Sequence, residues 1–410
     1  MGGGIVGVAV AVRLASDGHD VLIVDSGQPR FGSSLGNAGH VVDSFVLPFA
    51  RPGMVASGLV SLARRDGAFA LNPRHAGVVA PWLVRFARSC TAANVKRAAP
   101  ALVWLSRASR EALDELTATR TETRTELSLS LRSNGVLLVY NTSRSLAAGR
   151  REAGEVAEYG IAWREVEAAE VLACSPRLRP GIAGAILFCD DRSLDPEQFW
   201  RTLADLGKSR GVRTMRATAR RLLQSGSSVL VHTDKGTVSA GHVVVAAGAW
   251  SGELVAGLGV RLPLAAAKGY SVTLASQAVG LAGPMLLHEP HLALNPLESG
   301  LRITGRYEIT SPNDRKTSSR RVGEIIAGAR RYLRLDDPLP AEQVWTGNRP
   351  ASADGFPVIG VVPSADRVVV CTGHGMTGTS TALGSASLVA DLVARRACPP
   401  QLRVLAPGRP

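Results

Sequence analysis

Gly2, Gly4 and Gly7 set the spacing G-x-G-x-x-G within the first seven residues, and no other feature constrains the fold of this 410-residue chain as strongly. An apolar run over residues 8–14 follows, then Gly18-His19, then Val21-Leu22-Ile23-Val24 closed by Asp25. The order reads as glycine turn, helix, turn, strand and acid, with Asp25 lying 23 positions after Gly2. A dinucleotide needs each part: a tight turn at Gly2, backbone approach to a pyrophosphate at Gly4, close helix packing at Gly7, and a ribose hydroxyl on Asp25, with Ser26 beside it. The helix N-terminus would hold the phosphates.

A buried strand should precede the fingerprint, yet only Met1 stands before Gly2. The expectation is that the physiological chain begins upstream, with about five to eight mostly apolar residues forming the central strand. On that expectation the chain as given holds a dinucleotide poorly. A slot should then lie in the sheet beside the strand ending at Asp25, with Met1 at its mouth.

Hydrophobic residues make up 45% of the chain and charged residues 20%, which describes a globular protein long enough for two packed regions. The net charge of +13 is almost all arginine, since Lys96, Lys208, Lys235, Lys268 and Lys316 are the only lysines. The arginines are scattered and nowhere interleaved with aromatics, which argues against a nucleic-acid partner. An anionic lipid surface or a carboxylate substrate suits the charge equally. The five cysteines are odd in number, with no C-x-x-C pair, and read as reduced thiols. No metal site is expected. No run approaches the roughly 18 apolar residues of a spanning helix, and the start lacks the basic region of a signal peptide. These features suggest a cytoplasmic protein, with peripheral contact to the inner face of a membrane left open.

Residues 32–40 are too rich in small polar types to pack a core and read as a loop whose backbone can approach a flat ligand. Residues 55–122 read as helical, and Val136 to Tyr140 as a strand. Asp190-Asp191 has no His or Glu beside it and reads as a solvated turn. Asp195 before Pro196 is a helix cap. The β-branched run Val243-Val244-Val245 ends in Ala246-Ala247-Gly248, as a strand does when it delivers backbone to a ligand. Near the C-terminus, Thr372-Gly373-His374-Gly375-Met376-Thr377-Gly378 opens a helix, which gathers free N–H groups and a positive helix end in one place. His374 has no second metal ligand nearby.

Ser33-Ser34-x-x-Asn37-Ala38-Gly39, followed by Pro48 and Ala50-Arg51-Pro52-Gly53, resembles the flavin-contacting segment of the FAD-dependent D-amino acid dehydrogenases. These belong to the wider D-amino acid oxidase and glycine oxidase superfamily. Ala247-Gly248, Lys268-Gly269-Tyr270, Tyr307-Glu308, Arg349-Pro350 and the Gly373 to Gly378 segment look like further parts of the same pattern. The resemblance implies an α/β, Rossmann-like FAD-binding domain from residues 1–60, 190–260 and 341–410, and an inserted mixed-sheet substrate domain (α+β) from 61–189 and 261–340. It implies flavin contacts at Ser33, Ser34, Asn37, Ala38, Gly39, Ala247, Gly248, Gly373, His374, Gly375, Met376, Thr377 and Gly378. Arg349 would clamp the substrate carboxylate and Tyr270 would place a hydroxyl over the substrate. The implied reaction is oxidative deamination of a D-amino acid to a 2-oxo acid and ammonia, by hydride transfer to flavin N5, with electrons passed to a quinone or another acceptor. A glycine or sarcosine oxidase and a D-hydroxyproline dehydrogenase share this pattern. From a different class, a flavin-less, truncated copy is also open.

Overall fold

The computed structural model describes residues 1–28, 32–63, 67–123, 129–275, 280–337, 339 and 342–409. Its first helix, Ile5–Ser16, starts directly from the glycine turn and buries Val8, Ala9, Val10, Ala11, Val12 and Leu14. The small side chains let other helices approach closely. The closing helix Gly378–Val393 packs along it, and the helix Pro196–Ser209 packs on it as well. The latter begins as its sequence suggests, with Asp195 Oδ1 accepting from the amides of Glu197 at 2.8 Å and Gln198 at 3.3 Å, and Pro196 in the first turn.

The nucleotide half carries two pieces of parallel sheet. In one, Leu22–Asp25 runs parallel to Arg213–Arg216. In the other, Val243–Val245 runs parallel to Ala365–Thr372, which also pairs antiparallel with Val358–Val362. Met1 and Gly2 lie between the pieces and bond to both. The Met1 ammonium donates to Val244 O at 2.7 Å and Met1 O accepts from Ala246 N at 2.8 Å, while Gly2 N donates to Val24 O at 2.9 Å. A separate meander, Ala219–Ser225, Ser228–Thr233 and Gly236–Ala240, turns at Gly226 and Gly236, both with positive φ.

The second half is built on one large sheet. Glu342–Ser352, Leu264–Leu274, Gly300–Thr310, Leu292–Leu297 and Met285–Leu287 follow one another, and Val136–Tyr140, Gly184–Phe188 and Trp163–Val166 complete the row. Glu342–Ser352 pairs along its whole length with Leu264–Leu274. Residues 342–352 therefore belong by pairing to this sheet, although the sequence groups them with the cofactor region. Conversely, the long helix Ala92–Thr123, grouped with the substrate region, packs on the closing helix of the nucleotide half. Glycine permits that contact: a Cβ on Gly384 would lie 2.4 Å from Leu105 O, and Gly384 N donates to Ser109 Oγ at 2.7 Å.

The stretch expected to be helical is broken by a short strand, Phe69–Leu71, which joins Gly300–Thr310. Three residues are too few for a periodic pattern to register. The expected solvated turn at Asp190-Asp191 is also corrected, because Asp191 is 1% exposed. Its Oδ1 accepts from the amides of Asp43 at 2.8 Å and Ser44 at 3.1 Å, and its Oδ2 from the Ser44 hydroxyl at 2.6 Å. Burial pushes its carboxyl up to about 7. Asp191 is thus an internal latch for the 42–44 loop.

Candidate active site

A cleft of about 1110 Å³ runs from Asp25, Ser26 and Arg220 past the glycine turn to Asn348, Pro350 and His374. This volume lies just above the ~300–1,000 Å³ usual for ligand pockets, as suits a ligand the size of a dinucleotide. Gly2, with φ +99°, makes the tight turn, and a Cβ there would meet Ala246 O at 2.3 Å. Gly7 lies below the turn, where a Cβ would stand 1.9 Å from Gly2 O. Gly4 is the helix N-cap and has no side chain to fill the cleft. No acidic residue occupies the first turn of that helix, so its positive end is open to an anion.

Asp25 is oriented by two amides: Gly3 N donates to Oδ2 and Gly27 N to Oδ1, both at 2.7 Å. Each carboxylate oxygen keeps lone-pair capacity toward the cleft. The Ser34 hydroxyl accepts from Ile5 N at 2.9 Å, so the loop caps the first helix while lining the cleft beside Ser33. The same loop is fastened to the large sheet. Trp345 lies against Gly36, Arg302 donates to Leu35 O at 3.1 Å, and Asn295 Nδ2 donates to Ala38 O at 2.7 Å. Asn37 braces it internally, donating to Ser34 O at 2.6 Å and accepting from Gly39 N at 2.7 Å. Gly39 has φ +71°, and a Cβ there would meet Leu194 O at 2.0 Å. Asn37, Ala38 and Gly39 shape the loop from behind the cleft wall.

Across the cleft, Ala247, Gly248, Thr372, His374, Gly375 and Gly378 form the opposing wall. The closing helix begins there, with Thr377 as N-cap and no side-chain cap bond. Gly378, Thr379 and Ser380 have no carbonyl four residues back inside the helix to bond. Thr377 instead donates its hydroxyl to His374 O at 2.9 Å, Gly373 takes φ +79°, and Met376 points outward, 48% exposed. The His374 ring turns inward, with Nε2 3.0 Å from the Ser385 hydroxyl. Two helix N-termini thus converge on one elongated cleft, an arrangement that fits a dinucleotide with an anionic pyrophosphate and a ring system whose oxygens carry partial negative charge.

Burial pushes the His374 imidazole down to about 4. The unfolded chain takes up that proton near about 6.5. The neutral ring's contribution to stability is therefore complete above pH 6.5 and is lost as pH falls through 6.5 toward 4. At about 1.4 kcal/mol per unit, the loss amounts to about 3 kcal/mol. His374→Gln is expected to flatten the fall of unfolding free energy between pH 6.5 and 4 by up to that amount. Identical pH profiles in denaturant melts of parent and variant would remove His374 from the acid response.

Next to Asn348 and Pro350, which line the cleft, strand register decides which side chains meet. Ala267 pairs with Arg349 and Gly269 with Gly347, so Arg349 stands on the face of the odd-numbered residues of Leu264–Leu274. Its guanidinium crosses Gly269, where a Cβ would lie 2.1 Å from Nη1. It donates to Arg306 O at 3.0 Å and stands 6.0 Å from the Tyr307 ring. Arg349 keeps some accessible surface, although the surrounding protein is dense enough for burial to lower its pKa. No carboxylate pairs with it among the described residues. The Tyr307 hydroxyl likewise has no hydrogen-bond partner among them, and burial holds that phenol above its ordinary range.

Tyr270 is elsewhere. It lies on the even-numbered face, 2% exposed, and donates its hydroxyl to Glu308 Oε2 at 2.9 Å. Lys268 shares that face in a buried ion pair with Asp314 at 2.7 Å. The expectation of Tyr270 over the substrate is therefore corrected: the tyrosine brought to Arg349 is Tyr307. The two residues look alike in sequence. Only the parity of the paired strands, and the bulge between Lys268 and Tyr270, separates them.

Fold and cleft together define the class of a dinucleotide-binding oxidoreductase with a second, large sheet beside the cleft. Residues 1–392 match the DAO family, FAD dependent oxidoreductase, and the chain belongs to it. It is similar to a D-amino acid dehydrogenase of Cereibacter sphaeroides, 32% identical over 412 residues that cover 97% of this chain and 91% of that protein. A D-amino acid dehydrogenase of Methylobacterium nodulans is also 32% identical, covering 97% and 95%. Among solved structures, glycine oxidase from Geobacillus kaustophilus superposes with a TM-score of 0.76 at 23% identity, covering 100% of this chain and 97% of that one. L-proline dehydrogenase from P. horikoshii gives 0.74 at 18% identity, covering 99% and 95%. The last two show a shared fold. The protein is an FAD-dependent oxidoreductase of the amino-acid-oxidase type, and no helix among the described residues is long and apolar enough to cross a membrane.

Proposed function

We propose that the protein oxidatively deaminates D-amino acids to 2-oxo acids and ammonia, passing electrons to an acceptor. The single observation that carries the carboxylate end of this reading is Arg349, a deeply set guanidinium with accessible surface and no carboxylate partner among the described residues. An uncompensated charge at such depth is costly, and a bound carboxylate compensates it through a planar, bidentate pair. Tyr307 adds a second donor. Because burial raises its pKa, it stays protonated near neutrality and can donate to the same carboxylate rather than act as a base. The substrate amine is read as arriving neutral.

In this reading the glycine turn and Ser34 receive the pyrophosphate, Asp25 takes ribose hydroxyls, and the segment from Gly373 to Gly378 faces the flavin. The bound FAD supplies the two-electron oxidation itself. Preference for a D-amino acid, over glycine, sarcosine or a D-hydroxyproline, draws its support from the two D-amino acid dehydrogenases at 32% identity. Anaerobic D-alanine or D-proline is expected to bleach the flavin band near about 450 nm, while the L-enantiomers leave it. Equal bleaching by both enantiomers, or bleaching by glycine alone, would overturn the D-specific reading.

A further inference from the structure

A second cavity, of about 620 Å³, shares only Asp205 with the cofactor cleft among its lining residues. One wall follows a polar row that strand pairing sets across the large sheet: Gln343 pairs with Thr273, Thr273 with Arg302, and Arg302 with Asn295. Paired residues share a face, so these side chains stand side by side. Two of them also hold the loop of residues 32–40, Arg302 by donating to Leu35 O at 3.1 Å and Asn295 to Ala38 O at 2.7 Å. Ser193 and Arg132 adjoin this row. Arg132 N donates to Ser193 O at 2.8 Å and Ser193 N to Arg132 O at 2.9 Å, which sets their side chains next to each other. The Arg132 guanidinium donates to Pro296 O, one residue along from Asn295.

Three donors in this cavity lack the partners that their burial or charge calls for. Arg302 is 6% exposed, donates only to the neutral Thr273 Oγ1 at 3.2 Å and Leu35 O, and makes no ion pair among the described residues. Burial lowers its pKa, and Asp195 and Glu197 offset part of that effect. Those two acids have other commitments, since Asp195 Oδ1 caps its helix and Glu197 pairs with Arg201 at 2.6 Å. Arg132 likewise makes no ion pair among the described residues. The Ser193 side chain is buried, 1% exposed, and its hydroxyl has no hydrogen-bond partner among them. A buried hydroxyl or guanidinium left in this way costs free energy. A carboxylate accepts from all three donors at once. The other lining charges are acids, with Glu298 exposed at the rim, so a phosphate or a second carboxylate meets like charge where an ammonium meets its complement.

We propose that this cavity is a second amino-acid site, apart from the one at Arg349. Arg302, Arg132 and the Ser193 hydroxyl hold the carboxylate, and Glu298 at the rim attracts the ammonium. Because Arg302 and Asn295 also hold the loop that lines the cofactor cleft, occupancy steadies that loop and slows release of the flavin. The inference is independent of which amine is oxidised.

The probe is 2-aminoisobutyrate, which has no α-hydrogen and so cannot be oxidised by hydride transfer, whatever the natural substrate. Calorimetric titration of the flavin-loaded protein is expected to show binding that persists in Arg349→Lys. Arg132→Gln should weaken it about ten-fold or more, the loss of one charged hydrogen bond. Ser193→Ala should weaken it by a smaller factor without lowering the melting temperature, because the hydroxyl it removes has no internal partner to lose. Isobutyrate, the same skeleton without the amine, and inorganic phosphate should both bind several-fold more weakly. Saturating probe should slow FAD release at least about two-fold. No binding, binding abolished by Arg349→Lys, binding unchanged in Arg132→Gln or Ser193→Ala, equal affinity for isobutyrate or phosphate, or FAD release untouched at saturation would each overturn the proposal.

Discussion

Arg349→Lys is expected to purify with full flavin and to lose one to two orders of magnitude in kcat/KM, chiefly through a raised KM. Lysine keeps the charge but presents a compact ammonium, which cannot reproduce the fork that binds both oxygens of a carboxylate. Losing one good charged hydrogen bond costs about 1.5–3 kcal/mol, and each 1.36 kcal/mol is roughly ten-fold. The geometry favours a clean result. Arg349 crosses Gly269, and its one recorded internal bond is to Arg306 O, so shortening the side chain breaks no internal ion pair. Tyr307→Phe should raise KM by a smaller factor, and Tyr270→Phe should leave the kinetics near the parent's, because the Tyr270 hydroxyl is committed to Glu308 on the opposite face. Unchanged KM and kcat in Arg349→Lys would remove this residue from the site. A larger loss in Tyr270→Phe than in Tyr307→Phe would reverse the assignment of faces.

Gly7→Ala is expected to yield protein with less than about a tenth of the parent's flavin and a melting temperature several degrees lower. The added methyl would stand 1.9 Å from the Gly2 carbonyl oxygen, a distance no rotamer can relieve because both partners are backbone. Forcing a methyl into a packed contact costs about 1–3 kcal/mol. The cost falls where the structure can least absorb it, since Gly2 N bonds Val24 O and Met1 bonds Val244 and Ala246. Displacing the turn therefore disturbs both pieces of parallel sheet and the cleft floor together. Gly77→Ala is the control. Its methyl meets nothing within 4 Å on the helix Ala76–Ser89, where alanine is favoured over glycine by up to about 1 kcal/mol. Full flavin content in Gly7→Ala would show that helix and turn need not pack as closely as drawn.

Much of the cofactor end was legible from the sequence because its chemistry is local. Gly2, Gly4 and Gly7 act within one turn and one helix start, so spacing alone carries their roles. The Asp195 cap is equally local. The substrate end was legible only in part. Arg349 stands in a recognisable segment, but Tyr270 and Tyr307 are both tyrosines on strands buried on both faces, and residue type cannot say which face each occupies.

By itself the sequence determined the nucleotide grammar of the first 25 residues and the glycine-rich start of the closing helix. Each depends on backbone conformation or side-chain chemistry over a few neighbouring residues. Only the tertiary structure decided that Tyr307, not Tyr270, faces Arg349, that Asp191 is buried, and that Phe69–Leu71 is a strand of the large sheet. Those outcomes depend on register between strands far apart in the chain. A shift of one residue, or one bulge as at Lys268, exchanges the two faces without leaving a mark in the local pattern.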